Sequence, residues 1–117
     1  MNAASISAAK VCAVDMVELL ARCVGRADIA ERVLKKFRET IQVDIQSLEQ
    51  AFARNDSNEV ALIAHRIKGA ALAIAAHPLC NEAASVETAA RARQLDEGRQ
   101  AFARLQIALA QVANTNL

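Results

Sequence analysis

From Asp28 to Arg54 the apolar residues Val33, Phe37, Ile41, Ile45, Leu48 and Phe52 recur at steps of three and four, while Glu31, Lys35, Arg38, Glu39 and Glu49 fall largely between them. This period matches the 3.6 residues of a helical turn, so the segment is a long helix with one apolar stripe and charged remaining faces. Such a helix has to bury its stripe against partners, and the rest of the chain offers only helices. β-Branched runs bounded by turn residues, the mark of strands, are absent. Three glycines and one proline leave few breaks, and with 54% apolar but only 3% aromatic residues, alanine and leucine carry the core, as closely packed helices prefer.

The breaks divide the chain into a short helix over about 10–23 and four longer ones over about 28–54, 57–76, 78–93 and 96–113. Gly25 is placed to stop the first. Asp28 can cap the second, Asp56 with Glu59 forms a capping-box pattern for the third, and Asp96 can cap the last. Pro78 suits the first position of the fourth helix and biases His77 away from the α region. Short connections between long amphipathic helices imply antiparallel neighbours. The expected fold is therefore all-α: an antiparallel four-helix bundle with a short additional N-terminal helix, residues 1–117 forming one domain.

A net charge of +1, with both signs scattered along the chain, excludes electrostatic binding to nucleic acid or a membrane surface. No apolar run approaches the roughly 18 residues of a membrane span, and the N-terminus lacks the order of a signal peptide, which points to the cytoplasm. Cys12, Cys23 and Cys80 have no CxxC spacing and no histidines arranged as co-ligands, so they read as reduced thiols. Glu82 and Glu87 are poorly aligned for a di-iron site and no Glu-x-x-His pair exists, so no metal is expected. No glycine-rich phosphate loop follows a strand, so the chain has no nucleotide site and no cofactor of its own.

The third helix departs from a simple amphipathic pattern. Val60, Ile63, Ala64, Ile67, Ala71 and Ile74 make its core stripe, yet Ala61, Leu62, Gly69, Leu72 and Ala76 gather on the outward face around His65, where a solvated helix would be charged. Gly69, one turn beyond His65, costs the helix about 0.5–1 kcal/mol relative to alanine, which is repaid where something must come close. Lys68 shares the histidine's side of the helix and can pair with a phosphoryl oxygen. His77, at a helix junction, reads as structural.

The run Ala64-His65-Arg66-Ile67-Lys68-Gly69 resembles the motif of the histidine-containing phosphotransfer (HPt) domain. Phe37 in the preceding helix, Leu79 opening the next, and the pair Val86-Glu87 fit the wider pattern, from about Asp28 to Val112. Two positions depart from it: Ala75 stands where many members have glycine, and Ala70 where they have serine. The first raises the question of how the following turn is built, with Pro78 as a possible substitute device. The resemblance implies that His65 carries a phosphoryl group between two receiver domains, that Lys68 stabilises its charge, and that Glu87 orients the imidazole. It further implies docking through Ala61, Leu62, Gly69, Leu72 and Ala76, Mg²⁺ supplied by the receiver partner, and a monomeric phosphocarrier that is not an enzyme. Partners would be response-regulator receiver domains and a hybrid histidine kinase. The alternatives are a helical adaptor without phosphotransfer and the phosphoacceptor domain of a histidine kinase, which usually has an acidic residue where this chain has Arg66. The Met1 start and lack of a flanking linker point to a free-standing protein.

Overall fold

The computed structural model describes residues 12–115, which form five α-helices and no strand. They are α1 (Met16–Arg22), α2 (Ala27–Ala53), α3 (Ser57–Ala73), α4 (His77–Arg91) and α5 (Leu95–Ala113). Among the long helices α2 packs on α3, α3 on α4 and α4 on α5, and α2 also meets α5, so the helices form a bundle. Its core interleaves large side chains such as Leu34, Leu48, Ile63, Ile67, Leu79 and Leu105 with alanines 30, 51, 64, 71, 83 and 101. The alanines have no bulk to hold the backbones apart, and the leucines and isoleucines fill the space between them.

Helix starts follow the expected chemistry only in part. Asp56 accepts a hydrogen bond from the Glu59 amide at 3.1 Å, and Asp15 accepts one from the Glu18 amide at 3.0 Å. Asp15 thereby starts α1 at Met16 rather than near residue 10; residues 10 and 11 lie outside the described residues. Asp28 and Asp96 are not caps. Arg26 and Gln94 occupy those positions without side-chain cap bonds, which puts both aspartates inside the first turn, where their charge still faces the positive end of the helix dipole. Asp28 is held there by the Arg26 guanidinium at 2.8 and 3.0 Å. Pro78 is the second helical residue, and His77, expected outside the α region, is the first. A first-turn residue needs no intrahelical partner for its N–H, and the His77 ring is tied to Glu18 at 2.8 Å.

The helix ends share one device. In each of the turns after α2, α3 and α4, the second residue past the helix adopts a left-handed conformation: Asn55 (φ 53°), Ala75 (φ 58°) and Arg93 (φ 59°). The next amide then reaches back to a carbonyl in the last turn, Asp56 to Ala51 at 3.0 Å, Ala76 to Ala71 at 2.9 Å and Gln94 to Ala89 at 2.8 Å. The residue making that bond is also the N-cap of the following helix, so each connection is three residues long. This ends α3 at Ala73 rather than Ala76. It also shows that Ala75 keeps the left-handed geometry without glycine, so Pro78 is not a substitute for it.

The same device closes α1, with Val24 at φ 55° and Gly25 donating to Leu20 O at 2.7 Å. α1 is fastened onto the turn after α3: Asp15 N–H donates to Ala75 O at 2.8 Å, Arg22 donates to Leu72 O, and Glu18 meets His77. Val24 is 87% exposed, so its β-branched side chain takes the left-handed strain with no packing in return. Relieving roughly 1–2 kcal/mol of that strain outweighs the extra chain entropy of glycine. Val24→Gly should raise the urea midpoint, by about 1 kcal/mol of stability; an unchanged or lower midpoint would show that the strain is absent.

Candidate functional site

α3 crosses the bundle with Val60, Ile63, Ala64, Ile67 and Ala71 buried and Leu62, His65, Gly69 and Leu72 turned outward in one stripe at steps of three and four. Leu62 is 60% and Leu72 48% exposed, which makes them two of the few large apolar side chains on the surface. Two residues expected on this face are not there. Ala61 is buried: it lies about 40° round the helix from His65, on the Lys68 flank where α4 comes across. Ala76 is also buried, because α3 has ended before it and it belongs to the turn to which α1 is fastened.

Gly69 is exposed, and a Cβ built on it would meet nothing within 4 Å. No helix–helix contact among the described residues therefore accounts for the glycine. Gly98 makes the contrast, since a Cβ there would come 3.2 Å from the Phe52 ring.

The His65 imidazole has 63% of its side-chain surface exposed, and its Nδ1 lies 3.1 Å from Glu87 Oε2 on α4. Glu87 is the one buried charged residue among the described residues. Its other oxygen, Oε1, takes the Lys68 ammonium at 2.8 Å, while Oε2 also takes the Arg91 guanidinium through Nη2 at 2.7 Å and Nε at 3.1 Å. Burial is the largest single influence on the Glu87 carboxyl and pushes it up. The hydrogen bonds from Lys68 and then Arg91, with the Lys68 charge and the His65 contact, together outweigh burial and hold it at about 2. The carboxylate is thus ionised throughout the neutral range. Facing an anionic acceptor, Nδ1 carries the ring proton and donates it, leaving the Nε2 lone pair for an incoming group.

His65, Lys68 and Glu87, singled out in the sequence, are brought together in one cluster. Arg91 was not singled out, although its i,i+4 spacing from Glu87 on a helix is a readable signal. On the other flank Arg66 donates to Asp44 Oδ1 of α2 at 2.9 Å, so the residue following the histidine is tied to the bundle. His77 stands apart from the site. With Asp15 and Glu18 it places three potential metal-ligand atoms within 4.8 Å of one another. Each already has a role in attaching α1: Asp15 caps it, and Glu18 pairs with both His77 and Arg22. Cys23 is buried in the core, Cys80 half-buried and Cys12 exposed.

Compared with known families, residues 32–115 match the family model described as the Hpt domain, which spans well over half of the chain. No curated protein and no solved structure matches the chain.

The geometry sets two expectations for stability. Glu87 has a folded pKa near 2 against an ordinary 4.5, so its contribution is complete above about pH 4.5 and is lost as the pH falls toward 2. Urea midpoints measured from pH 6 down to pH 3 should fall more steeply for the wild type than for Glu87→Gln; parallel curves would contradict the depressed carboxyl. Gly69→Ala meets no steric obstacle and should stabilise the protein by about 0.5–1 kcal/mol, which thermal melting can read.

Proposed function

The chain belongs to the Hpt domain family, and on that membership we propose that it is a phosphorelay carrier in which His65 takes a phosphoryl group from a receiver aspartyl phosphate and hands it to another receiver aspartate. Hpt domains are phosphocarriers of phosphorelays and interact with receiver domains. The observation that carries the assignment to His65 is its exposed ring, backed through Nδ1 by the buried Glu87 carboxylate and standing one turn before a glycine with open space above it.

In the forward step the Nε2 lone pair attacks phosphorus in line, the P–O bond to the receiver aspartate breaks, and its electron pair returns to that carboxylate. Lys68, on a flexible stem and beside the ring, supplies a positive charge to the transferred group, and Arg91 supplies a second. Glu87 fixes the tautomer and the plane of the imidazole. Mg²⁺ and the acidic residues that bracket the transfer belong to the receiver, so this chain contributes nucleophile, charge and docking surface and has no nucleotide site of its own. Leu62, Gly69 and Leu72 form the apolar part of that surface, with Ala61 and Ala76 removed from it. The proposed partners are response-regulator receivers, one of them within a hybrid histidine kinase, and the proposed setting is a monomer in the cytoplasm. No helix among the described residues is long and apolar enough to cross a membrane.

We also propose that residues 12–115 form one domain whose four long helices run antiparallel. Side-chain hydrogen bonds between consecutive helices support this: Asp44 and Arg66 lie equally far from Asn55, and Glu82 and Arg104 equally far from Arg93, while His65 and Glu87 centre on Ala76, one residue past the left-handed Ala75 of their turn.

Incubating the protein with a phosphorylated receiver and Mg²⁺ should give an acid-labile label that is absent in His65→Gln and retained in His77→Ala. Gly69→Phe should abolish the label while the helical circular dichroism is kept. No label with any receiver tested would favour the adaptor reading, and label from ATP alone would favour a kinase fragment.

A further inference from the structure

The proposed transfer leaves open the charge of the ring that carries the phosphoryl group. If Nε2 of an Nδ1–H imidazole forms the N–P bond, the ring becomes a cation unless the Nδ1 proton departs. The acceptor facing that proton is a buried, ionised carboxylate, Glu87 Oε2 at 3.1 Å. A neutral amide in the same place could orient the ring equally well, but it would give a cationic ring no charge to rest on. We infer that Glu87 keeps the proton on Nδ1 through the whole cycle, so that phosphorylated His65 is an N-phosphoimidazolium ion and the chain is a fast donor rather than a long-lived store of phosphoryl groups. This inference rests on the phosphocarrier reading above.

The charges around the ring favour this state. On its own helix stands Lys68; from α4 come Glu87 and Arg91; Arg66 is neutralised by Asp44 of α2 on the far flank. Before transfer, Glu87 and its two cations leave the site one positive charge in excess. Adding a dianionic phosphoryl group to a ring that keeps its Nδ1 proton brings the cluster to formal neutrality, whereas loss of that proton would leave a net negative charge beside a buried carboxylate. The phosphoryl group also competes with Glu87 for Lys68 and Arg91. Drawing either cation away unloads the carboxylate and strengthens its hold on the Nδ1 proton.

The consequence is in the leaving group. In onward transfer the receiver carboxylate attacks phosphorus and the N–P bond breaks with its electron pair returning to Nε2. From the imidazolium this releases a neutral Nδ1–H imidazole, which is the resting ring, so neither direction of transfer moves a proton. From a neutral phosphoimidazole the same step would release an imidazolate anion, a far poorer leaving group.

The test uses the full chain phosphorylated with phosphoramidate, a small donor that needs no receiver. Nitrogen-15 NMR at pH 8 should show phosphorylated His65 with a protonated Nδ1 in the wild type and an unprotonated one in Glu87→Gln. The phosphohistidine half-life at pH 8 should lengthen about fivefold in Glu87→Gln, the ratio expected from exchanging a charged for a neutral acceptor. A wild-type phosphohistidine without the Nδ1 proton, or equal half-lives, would overturn the inference while leaving the carrier reading intact. Should the variant not fold, the wild-type spectrum alone decides. If neither phosphoramidate nor a phosphorylated receiver labels His65, the carrier reading itself falls, and this inference with it.

Discussion

Three turns of one geometry determine where the side chains of this bundle can meet. In each, a left-handed residue lets the next amide reach back to the helix just ended, and that same residue caps the next helix. Consecutive helices therefore leave their turns with the same offset, and side chains equally far from a turn are brought level. His65 and Glu87 are 22 residues apart in sequence, as are Arg66 and Asp44, and Arg104 and Glu82. Half of that separation is close to three full helical turns, about 16 Å along each helix, so both members of a pair come back to the same face. The site lies across the middle turn, one residue off the register of the other two: His65 and Glu87 centre on Ala76, whereas the flanking pairs centre on the left-handed Asn55 and Arg93. It depends on a turn built around Ala75, a residue that takes the left-handed conformation less readily than glycine or asparagine.

What the turn brings level, electrostatics then holds. A lone buried carboxylate costs several kcal/mol and would protonate or find solvent. Glu87 stays ionised because Lys68 and Arg91 each take an oxygen, and the ring of His65 is fixed as a third donor to the same group. The arrangement is asymmetric: Glu87 is almost fully covered while the three groups on it remain partly exposed. Charge is anchored inside, and the three groups that contact it keep their freedom at the surface. Lys68 is already paired with Glu87, so the use proposed for it on a phosphoryl oxygen would be an exchange of partners rather than the recruitment of a loose side chain.

How much of this could be read from the chain follows from the range over which each signal acts. Helix identity and the core stripes were legible because periodicity sums over many residues, and His65, Lys68 and Glu87 stood out through motif and resemblance. The helix starts were less so. Asp28 and Asp96 look like caps, but a preceding residue with no capping side chain took the position in each case, because the preceding turn had already set where the new helix begins. Ala61 and Ala76 were misplaced for a related reason. A helical wheel gives the angle of a residue but not where a neighbouring helix crosses, nor that the helix stops before the residue is reached. Arg91 lay within reach of sequence reasoning, one turn after Glu87, and was passed over because an exposed arginine on a helix is usually only solvated.

The two helical glycines show how one residue type serves opposite ends. Gly98 is buried where the Phe52 ring closes on it, so its missing side chain is used by the protein's own packing, and the adjacent Arg99 reaches from there to the Phe52 carbonyl and Asn55 at the end of α2. Gly69 has nothing above it. A helix that accepts the cost of glycine where the described residues make no use of the space fits the docking role proposed for this face. The flanking Leu62 and Leu72 are exposed apolar side chains, which likewise gain nothing from solvent. Between them stands the one histidine whose inward nitrogen is held by a buried charge. The gap, the apolar rim and the oriented ring are all left unexplained by the bundle alone, and the proposed docking of a receiver accounts for the three together, its backbone over Gly69 and its phosphoryl group at Nε2.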